Sequence, residues 1–274
     1  MKNKSELKPA IADYWDLIAP QSGTAEREDL WRAHLKDVYQ RLGIRWRHKG
    51  SVERTLKTDL YDEAVSRHPL ISLLGSDCNR VVGADVSFET ARAAKRRLKD
   101  AGEDGIQIAV SDARSQAFKS HSFDAILSNS TLDHFSSRTE LMMGLDELFR
   151  ILKLGGTLII TLDNPQNPIV WMRNRLPYRL LKRLGIIPYF MGVTLSRSEL
   201  IRALKSKGFA TCDSTVIVHS PRIFAIWAGR FLAGVRRQAI RRCFCRLLCA
   251  FEKLERLPTK HITGYFVAVK AFKV

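Results

Sequence analysis

Apolar residues along this chain fall into two rhythms, and the rhythms alternate. Ala125-Ile126-Leu127 is a short continuous apolar run, the pattern of a strand buried on both faces. Polar residues from Ser128 to Ser137 predict a loop after it. Leu141, Leu145, Leu148, Phe149 and Leu152 then recur at helical spacing. Gly155-Gly156 is expected to end that helix, and the β-branched run Thr157 to Leu162 predicts the next strand. Strand, helix and strand in this order make a βαβ unit, the building block of parallel sheets. Upstream, Val81-Val82-Gly83-Ala84 reads as a strand ending in Asp85, with a helix on Ala91, Ala94 and Leu98 behind it. Ile106 to Val110 predicts another strand, followed by Asp112-Ala113. Leu56 and Lys57 are expected to end the first strand, and Thr58 to Ala64 to form the loop after it.

The flanks are helical. Ile11, Tyr14, Trp15 and Leu17 give a short amphipathic segment; Leu30, Trp31, Leu35, Val38, Tyr39 and Leu42 give a longer one, expected to stop at Gly43. The chain thus divides into a helical segment over residues 1–50 and an α/β domain over 51–274, with helical insertions at about 165–192 and 220–262. Asp163-Asn164-Pro165-Gln166-Asn167-Pro168 predicts a loop. Ser196 and Glu199 form a helix-start signature, and Gly208 closes that helix. Thr211 to His219 and Thr263 to Phe272 read as the last two strands. The connection between them is long for two neighbouring strands, which marks it as functional or as a subdomain. It carries Leu232, Val235, Ile240, Cys243, Phe244, Leu247, Leu248, Phe251 and Leu254 at helical spacing, with arginines on other faces: one long basic amphipathic helix. Either it packs on the domain with a solvated basic face, or it docks to an anionic surface.

A chain of 274 residues can bury a full core without disulfides. Five unevenly spaced cysteines argue against a secreted disulfide scaffold and for a reducing, cytoplasmic setting. The first ten residues lack the apolar core of a signal peptide, and no apolar run is long enough for a spanning helix. Charge changes the picture more. The formal net charge is +17, and Trp171 to Val274 holds 21 basic against 4 acidic residues, so the entire excess lies in the last part of the chain. Such asymmetry concerns partners and not fold.

Asp85 and Asp112 follow strand ends that share one edge of an open α/β sheet, where ligands bind. VVGADVS, SDARSQAF, FDAILSNSTLDHF and LFRILKLGGTLIIT occur in that order at domain-scale spacing. Together they resemble the class I S-adenosylmethionine-dependent methyltransferases of the type 11 kind, over about Ser51 to Thr161. The resemblance implies a Rossmann-like, seven-stranded, mostly parallel sheet with helices on both faces, and S-adenosylmethionine as cofactor. It also implies that the last two strands form an antiparallel hairpin at the sheet edge. The sequence departs from the family at the first loop, where a glycine-rich D-x-G-x-G-x-G is usual; here no glycine occurs until Gly75. KTDLYDEA resembles a subgroup whose loop reads K-T-D-L-F-D-E-A. In that subgroup reading Lys57 and Asp59 meet the carboxylate and amino group of the methionine part, and Asp85 holds the ribose. Val86, Asp112, Ala113 and Ser128 complete the implied cofactor contacts, with no metal. The leading helices then either cover the cleft or pack on the flank.

His134, in the loop after the fourth strand, is the candidate general base, since histidine titrates near neutral pH; the alternative is a packing histidine. Asp133 and Asp163 are candidates to orient substrate or cofactor, with Asn129, Thr131 and Asn164 at the same edge. His219 reads as a strand-end histidine or a pocket residue. Cys243, Cys245 and Cys249 lack zinc-site spacing and read as semi-buried thiols. The expected function is methyl transfer to a small-molecule or lipid-linked acceptor, with an anionic membrane surface as partner of the basic region. The alternatives are an RNA-binding methyltransferase, disfavoured by the absence of an RNA module and of aromatic interleaving, and a non-catalytic cofactor-binding protein.

Overall fold

The computed structural model describes residues 11–22, 30–46, 51–66, 69–71, 74, 78–183, 187, 189–235 and 237–274. Gly75, the first glycine after the KTDLYDEA loop, lies outside these. Seven strands form one sheet: β1 (Val52–Thr58), β2 (Cys78–Asp85), β3 (Gln107–Val110), β4 (Phe123–Asn129), β5 (Leu152–Asp163), β6 (Phe209–Ile217) and β7 (Phe266–Lys273). Their order is β3-β2-β1-β4-β5-β7-β6. β1 to β5 pair in parallel, while β7 runs antiparallel to both β5 and β6. This is the expected Rossmann-like, mostly parallel sheet with an antiparallel hairpin at its edge.

The helices are α1 (Ile11–Ser22), α2 (Leu30–Arg45), α3 (Tyr61–Val65), α4 (Phe88–Asp100), α5 (Arg138–Ile151), α6 (Pro168–Arg175), α7 (Tyr178–Arg183), α8 (Arg197–Ser206), α9 (Arg222–Ala233), α10 (Gln238–Phe251) and α11 (Lys260–Thr263). Alternation along the strands sorts the apolar side chains onto two faces. On β7, Val267, Val269 and Ala271 enter one core with Leu141, Leu145 and Leu148 of α5 and Leu200 and Leu204 of α8. Phe266 and Ala268 face the other way, joining Trp31, Val38 and Tyr39 of α2, Ala225 and Ala228 of α9, and Phe244 and Leu248 of α10. A smaller cluster packs Ala91, Ala94 and Leu98 of α4 against Val81 of β2 and Leu60. Ser137 with Glu140, and Ser196 with Glu199, close reciprocal caps at the starts of α5 and α8.

Three elements differ from the sequence reading. α5 ends at Ile151 and Leu152 is already extended, so Gly155-Gly156 does not cap it. The glycines lie where the β4–β5 register shifts, and Gly155 takes the left-handed backbone (φ 73) that this irregularity needs. α2 passes through Gly43 to Arg45, because Leu42 and Trp46 on either side of the glycine are buried in the second core and packing outweighs glycine's propensity. The single basic helix is two, α9 and α10, parted at Gly234. Only Phe244 and Leu248 of α10 are buried; Ile240 and Leu247, from the same stripe, face out.

Candidate active site

The strand order reverses between β1 and β4. Chains leaving these strands diverge and open a crevice beyond their carboxyl ends. Register aligns Thr58 with Ser128 across this gap and with Ala84 on the other side. The Thr58 hydroxyl donates to Ser128 Oγ at 3.0 Å and lies 2.9 Å from Thr131 Oγ1. Ser128 is thus buried in the crevice floor, engaged by Thr58 rather than presented to a ligand.

Two residues bordering this floor have left-handed backbones without being glycine: Asp59 (φ 76), just past β1, and Ser130 (φ 51), just past β4. Aspartate is among the residues that tolerate this conformation, because its short side chain bonds locally. Asp59 Oδ1 accepts the Tyr61 N–H at 2.8 Å, and the Asp59 N–H donates to Ala84 O at 2.8 Å. The tight left-handed turn after β1 is built by an aspartate and not a glycine, and α3 follows at once.

Lys57 does not reach the crevice. It is fully buried beneath the loop, its ammonium donating to Glu63 Oε2 at 2.8 Å and to Asp59 O at 2.5 Å. Glu63 is equally buried and also accepts the Ile71 N–H at 2.9 Å. Burial works against the lysine charge, but Glu63, then Asp59 and Asp62, hold its pKa above the ordinary value. This differs from the expectation that Lys57 meets a ligand carboxylate: its charge is committed to Glu63, and its role is to set the Asp59 turn.

Asp85, at the tip of β2, faces the same crevice. Its two oxygens accept the N–H groups of Leu60 and Ser87, each at 2.8 Å. A carboxylate offers about four acceptor sites, so lone pairs remain for hydroxyls. Burial raises the Asp85 pKa, with the two N–H bonds opposing. Burial also drives Asp59 well above the usual carboxylate range; Lys57 opposes this, and the nearby Asp85 and Asp62 add to it. The crevice therefore holds closely spaced carboxylates while its buried lysine is already paired.

Val86 is half-buried beside Asp85. Asp112 is gripped by Arg114, whose Nη2 lies 2.6 Å from Oδ2 and whose Nη1 lies 2.6 Å from Glu140 Oε1. Burial raises the Asp112 pKa, but the Arg114 hydrogen bonds outweigh it and hold the group low. Ala113 packs in the first core. The β3 end thus supplies a stiffened wall, with the Asp112 carboxylate satisfied internally.

A roof of aromatic rings gathers around the loop that follows β4. Trp15 of α1 meets His134 edge-on at 4.9 Å and Tyr189 at 5.6 Å. Tyr189 also meets His134 at 5.5 Å and Tyr61 at 5.8 Å. α1 is tied down by Asp16, whose Oδ1 accepts Ser87 Oγ at 2.6 Å and Glu89 N at 3.1 Å, at the start of α4. Phe190 N donates to Tyr14 OH at 2.7 Å. The first leading helix therefore lies over the cleft, while α2 packs on the flank. His134 Nδ1 lies 3.3 Å from Phe190 O. A carbonyl only accepts, so Nδ1 is the donor in this contact.

Behind the roof, Asp133 and Asp163 are fully buried, each with one oxygen lacking a hydrogen-bond partner. Asp133 Oδ2 accepts Ser130 Oγ at 2.8 Å and Asp163 N at 2.9 Å; Asp163 Oδ2 is bonded by Arg173 of α6. Burial first, then Asp163, raise the Asp133 pKa. Asn129 is buried with its Oδ1 unpartnered. Asn164 instead serves the fold, its amide donating to the carbonyls of His261 and Gly264, each at 2.8 Å. His219 has both ring nitrogens engaged, by Thr263 Oγ1 at 2.8 Å and Val216 O at 3.2 Å, and is a strand-end residue. Cys245 is half-buried as expected, Cys243 and Cys249 are exposed instead, and none of the three is in a disulfide. Among the described residues no group of three or more His, Cys, Asp or Glu is placed to hold a metal. Sequence reasoning missed Glu63, Asp16, Tyr189 and Arg173 as site-building residues. Only Glu63 carried a signal, its place inside the KTDLYDEA motif.

Residues 68–160 match a family model described as a methyltransferase domain. The match covers about a third of the chain, and within it sheet order and edge carboxylates are similar to those of class I S-adenosylmethionine-dependent methyltransferases. The chain is 37% identical over 91 residues to a demethylmenaquinone methyltransferase of Clavibacter sepedonicus. That match covers 33% of this chain and 35% of the relative, so the chain spans about a third of the curated relative's length. Among solved structures, a geranyl diphosphate C-methyltransferase of Streptomyces coelicolor A3(2), in complex with S-adenosyl-L-homocysteine, superposes with TM-score 0.56 at 16% identity, covering 92% of this chain and 85% of the other. The cyclase SpnF superposes with TM-score 0.54 at 16% identity, covering 95% and 91%. These structures share the fold, and a cyclase among them shows that the fold does not by itself fix the reaction.

Proposed function

We propose that the chain transfers the methyl group of S-adenosylmethionine to a small-molecule or lipid-linked acceptor held at the β1/β4 crevice. One observation carries this: Asp59 and Asp85 stand together at the crevice with raised pKa values while the nearby buried cation, Lys57, is held by Glu63. A site of that sign fits a cationic ligand that also bears hydroxyls. When bound, S-adenosylmethionine supplies an ammonium group, a ribose diol and a sulfonium-borne methyl. Asp59 would meet the ammonium and Asp85 the ribose, with Val86 and the Asp112-Ala113 wall against the adenine. Trp15, Tyr61 and Tyr189 exclude water from the acceptor side and position the acceptor. His134 Nε2 is the group able to take a proton from it. The named acceptors of relatives, demethylmenaquinone and geranyl diphosphate, are small molecules and support that class. The net charge of +17, concentrated after residue 170, supports work beside an anionic membrane face.

The test is calorimetric titration with S-adenosylhomocysteine, followed by incubation with methyl-labelled donor and a cell extract. We expect binding, weakened about tenfold or more in Asp85→Ala. We expect label in the small-molecule or lipid fraction, with transfer reduced about 100-fold in His134→Ala and cofactor affinity retained. No binding by the intact chain overturns the reading. Binding without any labelled product makes the chain a non-catalytic cofactor-binding protein.

A further inference from the structure

α9 begins at the site and ends in solvent. Its first residue, Arg222, turns inward: the guanidinium lies 4.5 Å from the Tyr265 ring centroid and 5.5 Å from that of Phe266. There it is within electrostatic reach of Tyr189 and Asp163. The next turns face outward. Ile223 (48% exposed), Phe224 (53%), Trp227 (67%) and Phe231 (69%) leave large apolar surface in water. Their spacing of i, i+1, i+4 and i+8 puts all four within about 100° of one helix face. Trp227 and Phe231 stack nearly parallel, with centroids 6.3 Å apart. The opposite face, Ala225, Ala228 and Gly229, is buried, and Gly229 lies close to Trp31 of α2, so the helix is fixed in this orientation. Isolated apolar residues on a surface need no explanation, but a contiguous aromatic stripe does. Arg230 of α9, Arg237 just before α10, and Arg242 and Arg246 of α10 are exposed.

We propose that α9 is the element that docks the protein on an anionic bilayer, inserting Ile223, Phe224, Trp227 and Phe231 while arginines after them meet the headgroups. This refines the membrane part of the function proposed above and is independent of methyl transfer. The occupant follows from charge. A second copy of a chain at +17 would bring two basic surfaces together, against mutual repulsion. Nucleic acid would need phosphate-binding cations within the stripe, yet from Ile223 to Gly229 none occurs, and Arg222 is turned away. An interface with apolar depth and an anionic rim satisfies both features. It also sets the Arg222 end of the helix, and with it the acceptor side of the site, next to the membrane.

The test is co-sedimentation of the full chain with phosphatidylglycerol-containing vesicles and with pure phosphatidylcholine vesicles. We expect binding to the anionic vesicles only, reduced about tenfold or more in Trp227→Ser/Phe231→Ser and also in Arg242→Glu/Arg246→Glu. All four side chains are exposed, so melting temperature and S-adenosylhomocysteine affinity should match the parent protein. No vesicle binding at low salt overturns the proposal, as does binding that the Trp227→Ser/Phe231→Ser variant leaves unchanged. Light scattering that shows an α9-dependent dimer, or a gel shift with RNA lost in the same variant, also overturns it. Loss of cofactor binding by the parent protein would strike the methyltransferase reading and leave the docking result standing.

Discussion

Asp59 joins two demands, a left-handed turn and a negative charge, and the second is costly. Its folded pKa lies above the ordinary carboxylate value, so between those two pH values the folded chain holds a proton that the unfolded chain has released. Stability contributed by this residue therefore falls as pH rises from the ordinary carboxylate range through the folded value. Asn keeps the left-handed tolerance and the side-chain acceptor while removing the charge. Asp59→Asn should accordingly raise the melting temperature at neutral pH and weaken S-adenosylhomocysteine binding about tenfold. Calorimetry and thermal melting check both, and a variant that gains stability without losing affinity would remove Asp59 from the ligand site. Lys57 behaves in the opposite way. Lys57→Met leaves Glu63 buried and unpaired, and should lower stability by about 3–5 kcal/mol in chemical denaturation. Lys57→Met/Glu63→Leu should recover much of that loss, because removing both charges also removes the desolvation cost.

At the scale of elements, α1 is a cover held by a few polar contacts and an aromatic roof. Its hold depends on Asp16 at the start of α4, Tyr14 at Phe190, and Trp15 against His134 and Tyr189. An element so attached opens more readily than the sheet, and a ligand beneath it should close it. Amide exchange over Ile11–Ser22 should slow about tenfold or more when S-adenosylhomocysteine is added, with β4 and β5 unchanged. Trp15→Ala should abolish that protection while the sheet stays folded. Equal exchange with and without ligand would make α1 a static flank.

For the whole molecule, Glu252 is a tie between parts distant in sequence. Lying just past α10, it accepts a bond from His219 N at 3.2 Å and lies 3.1 Å from His34 Nε2. It thereby joins the insertion to α2 and to the end of β6. Burial raises its pKa, but the His34 and His219 bonds outweigh this and hold it below the ordinary value. The stability it contributes is present above the unfolded pKa and is lost as pH falls through the folded one. Glu252→Gln should cost about 1–3 kcal/mol at pH 7, and the two proteins should converge in acid below the carboxylate range. Denaturation series across pH read this directly; parallel curves would show that Glu252 is not ionised in its role.

The chain's own pattern determined the βαβ order, the carboxylates at the strand ends, the capped start of α8 and the basic asymmetry, because each is a local signal of periodicity, turn chemistry or charge. It also marked KTDLYDEA as the odd loop, though not what each residue does there. Which residues of that loop turn inward was decided by tertiary structure: Lys57 lies one residue before the end of a central strand, and its side chain enters the interior and finds Glu63. The same holds for Gly43 and Gly155, whose helix-ending propensity yields to core packing in one case and to strand register in the other. The aromatic roof joins Trp15, Tyr61, His134 and Tyr189 from four separate segments, and no local pattern links them. The tail shows the limit most clearly. Helical spacing identifies apolar residues, but only the position of the partner helix decides that Ala225 and Ala228 are covered while Trp227 and Phe231 are not.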